Sequence, residues 1–193
     1  MYVVQRFVVR AYFLYLFMPG PTELIDRIKS NFTREEFPAK TLLVKEGTLA
    51  KKLFYIEKGC CRAWFNNDGK DVTYQFLFEG NFASSFETII SNAVSWYSVE
   101  TLEPTVMYSV SIEDFRKRME LHPHIKAFYH DYVEKRLLFY QKLFVAHIKD
   151  SPEQRYRELL AQHPEIVLRV PQHYIASFLG ITSVSLSRIR NRK

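Results

Sequence analysis

From Thr41 to Ser111 the sequence is cut into short apolar or alternating runs by turn residues, and this pattern constrains the fold most. The runs are TLLVKEG, LFYIEKG, CCRAWFNNDGKDVTYQFLFEG and SVETLEPTVMYSVS. They are punctuated by Gly47, Gly59, the Asn66-Asn67-Asp68-Gly69 cluster and Gly80. Strands at this spacing, separated by glycine turns, predict an antiparallel sandwich or barrel. Asn-Asn-Asp-Gly between two β-rich runs predicts a tight hairpin.

On either side the period changes to that of helices. PTELIDRIKSNF (21–32) places Leu24, Ile25 and Ile28 at helical spacing behind Thr22, a plausible N-cap. Ser111 opens a second helix with Asp114 three residues on, a start resembling a capping box. His122-Pro123 breaks it, and a long helix is predicted over 123–148. Ile125, Phe128, Tyr132, Phe139, Leu143 and Ala146 mark one apolar stripe of that helix, and Val133, Leu137, Tyr140 and Phe144 a second. A helix apolar on two faces must be covered twice. One face can pack on the sheet region, and the other can pair with the same helix of a second copy. A core helix of a single chain is the alternative. Asp150-Ser151-Pro152-Glu153 then reads as a linker with helix-start chemistry, followed by the helix EQRYRELLAQH, which Pro164 ends.

The last segment, VPQHYIASFLGITSVSLSRIRNRK (170–193), carries the most chemistry. Pro171 to Phe178 predicts a short helix, Leu179-Gly180-Ile181 a tight turn, and Thr182 the cap of a second helix. Ile175, Leu179, Ile181, Leu186 and Ile189 are spaced to share a small core. Ala176 and Gly180 supply the small side chain and the free backbone that a helix-turn-helix needs at those two places. The predicted outer face of the second helix carries Ser183, Val184, Ser187 and Arg188. Such a face suits the major groove, where arginine grips guanine O6 and N7 and a methyl group touches thymine. Gln172, Thr182, Ser185, Arg190, Arg192 and Lys193 are the candidate phosphate contacts.

Charge supports this division. The 193 residues carry a formal net charge of +6. Residues 1–70 hold 12 basic and 7 acidic side chains, residues 71–115 hold 7 acidic and no basic ones, and residues 116–193 hold 15 basic and 7 acidic. A basic C-terminal part is a candidate nucleic-acid footprint. All six histidines (122, 124, 130, 147, 163, 173) lie beyond residue 121, so the strands hold none of the ligands that a metal-dependent β-barrel enzyme would need. No nucleophile–base constellation and no Walker-type loop is present either, and no enzymatic activity is expected. Cys60 and Cys61 are too few for an all-cysteine metal site and read as ordinary thiols in a reducing, cytoplasmic setting. At the N-terminus Arg6 and Arg10 leave only AYFLYLFM uncharged, well short of a membrane span of about 20 residues. Residues 1–17 read either as an upstream extension, with the working start at Met18, or as an amphipathic helix packed on the body or on a partner.

Taken together, these motifs resemble the Crp-Fnr transcription regulators, the superfamily of catabolite activator proteins. LVKEGTLAKKLFYIEKG (43–59) is similar to that family's first roll signature, with Gly47, Ala50, the run Leu53-Phe54-Tyr55-Ile56 and Gly59 in place. IASFLGITSVSLSRI is similar to its DNA-reading motif, with Arg188 at the position of its guanine-reading arginine. The resemblance implies an α+β chain with an antiparallel β-roll of the cyclic-nucleotide-binding type (a double-stranded β-helix or jelly roll), a long dimerisation helix and an all-α helix-turn-helix domain. The domains are then an N-terminal extension (1–21), the roll (22–122), the dimerisation helix (123–148) and the helix-turn-helix domain (149–193). Phe128, Tyr132, Phe139 and Leu143 would form the dimer seam. The implied partners are a pseudo-palindromic double-stranded DNA and a second copy of the chain. RNA polymerase and a small-molecule effector are the further partners that the resemblance raises, and no membrane is expected.

The sequence departs from this family in three places. The cyclic-nucleotide cassette has a Gly-Glu pair before its short helix and an Arg-Ser or Arg-Thr pair after it. Here Ser84-Ser85 stands at the first place, and 71–115 holds no arginine. Val184 stands where the recognition helix usually has Glu, and the chain stops at Lys193, about where that helix ends. Ser84-Ser85-Phe86-Glu87 reads as an S-x-x-E capping box whose Glu87 competes for the amides an anion would need. Bound cyclic nucleotide is therefore not expected, and no other cofactor or metal is. The alternative is a true cyclic-nucleotide sensor that holds the phosphate by main-chain contacts. Phe82, Ser84, Ser85, Phe86, Trp96 and Tyr97, with Ile89, are left as an effector pocket for an uncharged or cationic molecule, or as filling of the roll.

Overall fold

The computed structural model describes residue 26 and residues 29–191. Of the helix expected over 21–32, Asp26 and residues 29–31 are helical. Residues 1–25, 27, 28, 192 and 193 lie outside the described set, and with them the extension, Thr22, Leu24, Ile25, Ile28, Arg192 and Lys193. The described residues up to Lys126 form one compact unit and those from Ala127 a second.

The first unit is an antiparallel β-roll of two four-stranded sheets. Strands β1 (Thr33–Phe37), β8 (Thr105–Ser111), β3 (Lys52–Lys58) and β6 (Phe82–Ala83) make one sheet in the order β1-β8-β3-β6. Strands β2 (Leu42–Val44), β7 (Ser98–Thr101), β4 (Cys61–Asn67) and β5 (Lys70–Leu77) make the other in the order β2-β7-β4-β5. Ile56 and Met107 from the first sheet and Cys61, Ala63 and Val99 from the second are fully buried. The predicted hairpin is present between β4 and β5, with Asp68 at φ 52° and Gly69 at φ 83°. Two successive positive φ angles are what a two-residue loop with the right twist requires, and Asp-Gly supplies them. Gly59 has a different reason. At φ 112° it lies so close to β8 that a Cβ would meet Thr105 Cα at 2.8 Å.

Beyond the helical residues at 26 and 29–31, this unit includes, at least in part, α1 (Phe86–Ser91), α2 (Ile112–Leu121) and the start of α3 (Pro123–Lys149). Ser111 caps α2 as expected. Its hydroxyl accepts from Asp114 N at 3.0 Å and donates to the Asp114 carboxylate at 2.7 Å. His122, extended at φ −129° and ψ 96°, separates α2 from α3, which is the break that His122-Pro123 predicts.

In the second unit α3 runs on to Lys149. It is followed by α4 (Pro152–Gln162), α5 (Ile166–Arg169), α6 (Gln172–Phe178) and α7 (Ser183–Asn191). Ser151 and Gln154 close a reciprocal capping box at the start of α4, with Pro152 in its first turn. Sequence patterning misses three elements, the two-residue β6, the four-residue α5 and the charged edge strand β1. Among the described residues no helix is long and apolar enough to cross a membrane.

Candidate functional site

The helix-turn-helix is built by local rules. α6 ends at Leu179, Gly180 takes the left-handed conformation at φ 67°, and the Thr182 hydroxyl accepts from Ser185 N at 3.1 Å to start α7. Ile175, Ala176, Leu179 and Leu186 are each 1% exposed and form the shared core. Ile181 and Ile189, expected in that core, are half-buried at its edge.

The opposite side of α7 is open. Ser183, Val184, Ser187, Arg188 and Arg190 are all exposed. Val184 is 61% exposed, although valine is ordinarily an inside residue. Two guanidiniums, two hydroxyls and a branched methyl pair thus share one solvent-facing arc. Of the candidate phosphate contacts, Gln172 is exposed at the first turn of α6 and Thr182 at the start of α7. Ser185 is half-buried, and its hydroxyl lies 3.0 Å from that of Thr182.

The expected effector pocket does not come together as the sequence suggests. Trp96 is 74% exposed and lines no interior. Ser84 and Ser85 are both buried, but the cap is Ser85, one residue later than the S-x-x-E reading. Ser85 Oγ accepts from Thr88 N at 3.2 Å and donates to the Glu87 carboxylate at 2.8 Å, while Ser84 Oγ donates to the Lys52 carbonyl at 2.8 Å. Glu87 therefore binds the cap hydroxyl and is not the reciprocal partner of a capping box. Tyr97 is buried and turns its hydroxyl onto the same turn, accepting from Phe86 N at 3.2 Å and donating to the Ser84 carbonyl at 2.9 Å. Phe82 packs against Tyr55, with ring centroids 5.4 Å apart, and Phe86 is half-buried. Two amides at the start of α1 are thus taken by the chain's own hydroxyls. Arg116, the first arginine after that segment, serves the other end of α1: it donates to the carbonyls of Thr88 and Ile89 and to Asn92 Oδ1.

The acidic balance of 71–115 is also changed by the fold. Arg62 is 2% exposed on β4, on the face away from Cys61 and Ala63. It reaches Glu100 at 2.6 Å, Asp71 at 2.8 Å and the Thr73 hydroxyl at 3.3 Å, with the Trp64 ring 4.8 Å away. Lys117 pairs with Glu113 at 2.8 Å. Cations from outside the segment thus answer Asp71, Glu100 and Glu113.

On α3 the residues expected at the dimer seam, Phe128, Tyr132, Phe139 and Leu143, are half-buried. Arg136 lies buried among them and donates to the hydroxyls of Tyr132 and Tyr140. The large apolar side chains left exposed are Leu137, Leu138, Phe144, Val145 and Ile148. Cys60 and Cys61 are buried thiols, and burial pushes the Cys61 thiol well above the usual range. Among the described residues no group of three His, Cys, Asp or Glu is placed to hold a metal ion.

Residues 34–122 match the sequence profile of the cyclic nucleotide-binding domain. Comparison with curated proteins finds no match. Among solved structures, FixK2 from Bradyrhizobium japonicum is similar, with a TM-score of 0.73 at 14% identity, covering 82% of each chain. The c-di-GMP responsive global regulator CLP of Xanthomonas campestris gives 0.70 at 17% identity over 88% of this chain and 89% of that one. A regulator from Eubacterium rectale assigned to the crp/fnr family gives 0.68 at 15%, over 88% and 81%. Residues 34–122 are thus similar to the cyclic nucleotide-binding domain, and the fold is similar to that of solved Crp/Fnr regulators.

Proposed function

We propose that the chain is a dimeric, sequence-specific DNA-binding transcription regulator whose roll does not hold a cyclic nucleotide. The observation that carries the DNA-binding part is the arc of α7. Ser183, Val184, Ser187, Arg188 and Arg190 are all presented to solvent from a helix anchored by Leu186. Hydroxyls and a methyl pair at the start and middle of such a helix read base edges, and Arg188 suits a guanine. Arg190 and Gln172 suit phosphates, which fix register without reading sequence. The solved structures of similar fold that are named as regulators support the same reading.

Dimerisation is proposed through α3, on an exposed stripe in place of the half-buried Phe128, Tyr132, Phe139 and Leu143 expected from the sequence. Leu137, Phe144 and Ile148 recur at intervals of seven and four residues and are all exposed, the spacing of a two-helix seam. Two copies paired on this stripe would present two reading helices to half-sites about one duplex turn apart.

The start of α1 supports a degenerate sensor. A cyclic phosphate needs a counter-charge and free donors. Here Tyr97 and Ser85 engage the amides of Phe86 and Thr88, Glu87 sits beside them, and no arginine faces them within 71–115. A charge-assisted arginine–phosphate pair is among the stronger contacts available to a protein, so its loss is not made good by main chain already in use.

A selection from a pool of randomised duplexes, followed by a salt titration on the winner, tests the reading. Enrichment of a roughly palindromic sequence with steep loss of affinity on adding salt is expected. Affinity that ignores sequence would sink it. Calorimetry with cyclic AMP and cyclic GMP tests the sensor separately: micromolar binding would overturn the degenerate assignment and favour a phosphate held by main-chain contacts.

A further inference from the structure

The linker between the long helix and the reading motif is spanned by one side chain. Helix α3 ends at Lys149, and α4 begins at Pro152, one turn ahead of Arg155. The Arg155 guanidinium turns back and donates from one terminal nitrogen to the carbonyls of His147 at 3.3 Å and Asp150 at 2.7 Å. Its other terminal nitrogen donates to the Leu179 carbonyl at 2.9 Å. His147 and Asp150 lie at the end of α3, where carbonyls have no partner within the helix. Leu179 closes α6 and opens the turn into α7, and it is almost fully buried. All three acceptors are main-chain oxygens, so the contact follows backbone position and not the identity of neighbouring side chains. A planar fork can hold acceptors from two elements at once, which a single ammonium cannot reproduce in the same geometry.

We infer that Arg155 is a positioning residue for DNA reading: it fixes α7 relative to the end of α3 and thereby sets the spacing of half-sites that a dimer accepts. The inference rests on the DNA-binding reading above and adds to it a geometric determinant that touches no base. In a dimer paired along α3, any rotation about residues 150–151 moves the two reading helices by opposite displacements. One added base pair moves a half-site by about 3.4 Å and turns it by about a tenth of a helical turn. A rigid linker must then discriminate between spacings, and a loose one must not.

The experiment uses the full chain and a duplex set in which the selected half-sites are separated by spacers differing by one base pair. Wild type is expected to prefer one spacing by about tenfold or more. Arg155→Gln, which keeps a shorter planar donor, is expected to bind all spacings within about threefold of one another and to keep its affinity for an isolated half-site. Arg155→Lys is expected to fall between them. Circular dichroism melting identifies a variant that has lost its fold, in which case the Lys variant decides. If the Gln variant loses affinity equally at every spacing and keeps the wild-type preference, Arg155 only stabilises the domain and the inference is overturned. Wild type that binds duplex with no spacing preference also overturns it while leaving DNA binding intact. Wild type that binds no duplex at all overturns both.

Discussion

Replacing Arg62 by Met tests whether the roll depends on its buried cation. Methionine keeps most of the apolar stem and removes the charge. The loss is worked from three contacts. The bond to Glu100, whose side chain is 15% exposed, is charge-assisted and nearly dry, worth about 2–3 kcal/mol. The bond to Asp71 is discounted to well under about 1 kcal/mol because that carboxylate is 42% exposed and water replaces the lost donor. The stacking of the guanidinium on Trp64 adds about 1 kcal/mol. Arg62→Met should therefore cost about 3–4 kcal/mol, close to the range for breaking a buried pair from one side. With a urea m-value of about 1.5 kcal/mol/M for a domain of this size, the midpoint falls by about 2 M. The assay is tryptophan fluorescence in a Trp96→Phe background. The chain has two tryptophans, Trp96 is exposed, and Trp64 then reports on the roll alone. Much of the cost is the orphaned Glu100 carboxylate, so Arg62→Met/Glu100→Leu should recover about 1.5 kcal/mol or more relative to the sum of the single changes. A loss under about 1 kcal/mol, or strict additivity in the double variant, refutes the reasoning.

Three further outcomes are expected. Phe144→Glu places a charge in the exposed stripe of α3 and should shift the sedimentation coefficient from dimer to monomer without lowering helix content; an unchanged dimer would move the seam elsewhere. Arg188→Ala should cost about 1–3 kcal/mol per half-site on the selected duplex and relax the preference at one base pair, measured by competition with all four bases at each position. His163 is buried beside Glu165, and burial, opposed by the Glu165 hydrogen bond, holds its pKa below the ordinary 6.5. The folded state therefore favours the neutral ring. Its contribution is fully present above about pH 6.5 and is lost as pH falls through the lowered folded value. His163→Leu should flatten the stability of the C-terminal unit across that acid window, which urea titrations at stepped pH would read out.

The parts of the fold legible in the sequence are those whose backbone demands a particular residue. Asp68-Gly69 and Gly180 need positive φ, and Ser111 and Ser151 satisfy helix-start amides within three residues of themselves. Each signal is local. Strand β1 was not legible, because Arg34, Glu35 and Glu36 leave its five residues without an apolar alternation. As an edge strand paired only with β8 it tolerates charge, and Lys52 of β3 neutralises Glu35 at 2.8 Å. A charge count along the chain likewise missed Arg62, whose acidic partners lie 9 and 38 residues away and meet it only across strands. The cap of α1 slipped by one residue because Ser84 and Ser85 are both competent caps and only the Lys52 carbonyl decides between them. In the helix-turn-helix the outer face of α7 followed from spacing alone. Arg155 did not, since a side chain bonded to distant main-chain carbonyls leaves no periodicity to read.

The paired thiols at Cys60 and Cys61 have a practical consequence. Both are sealed inside the roll, and the Cys61 thiol is held in its unreactive protonated form by burial. An alkylating reagent in solution therefore reaches them only when the roll opens. The rate at which a full-length sample gains two alkyl groups, read as a mass increment, times those openings directly. The chain carries its own stopwatch for the roll, and a molecule that seats itself there would reveal itself by slowing it.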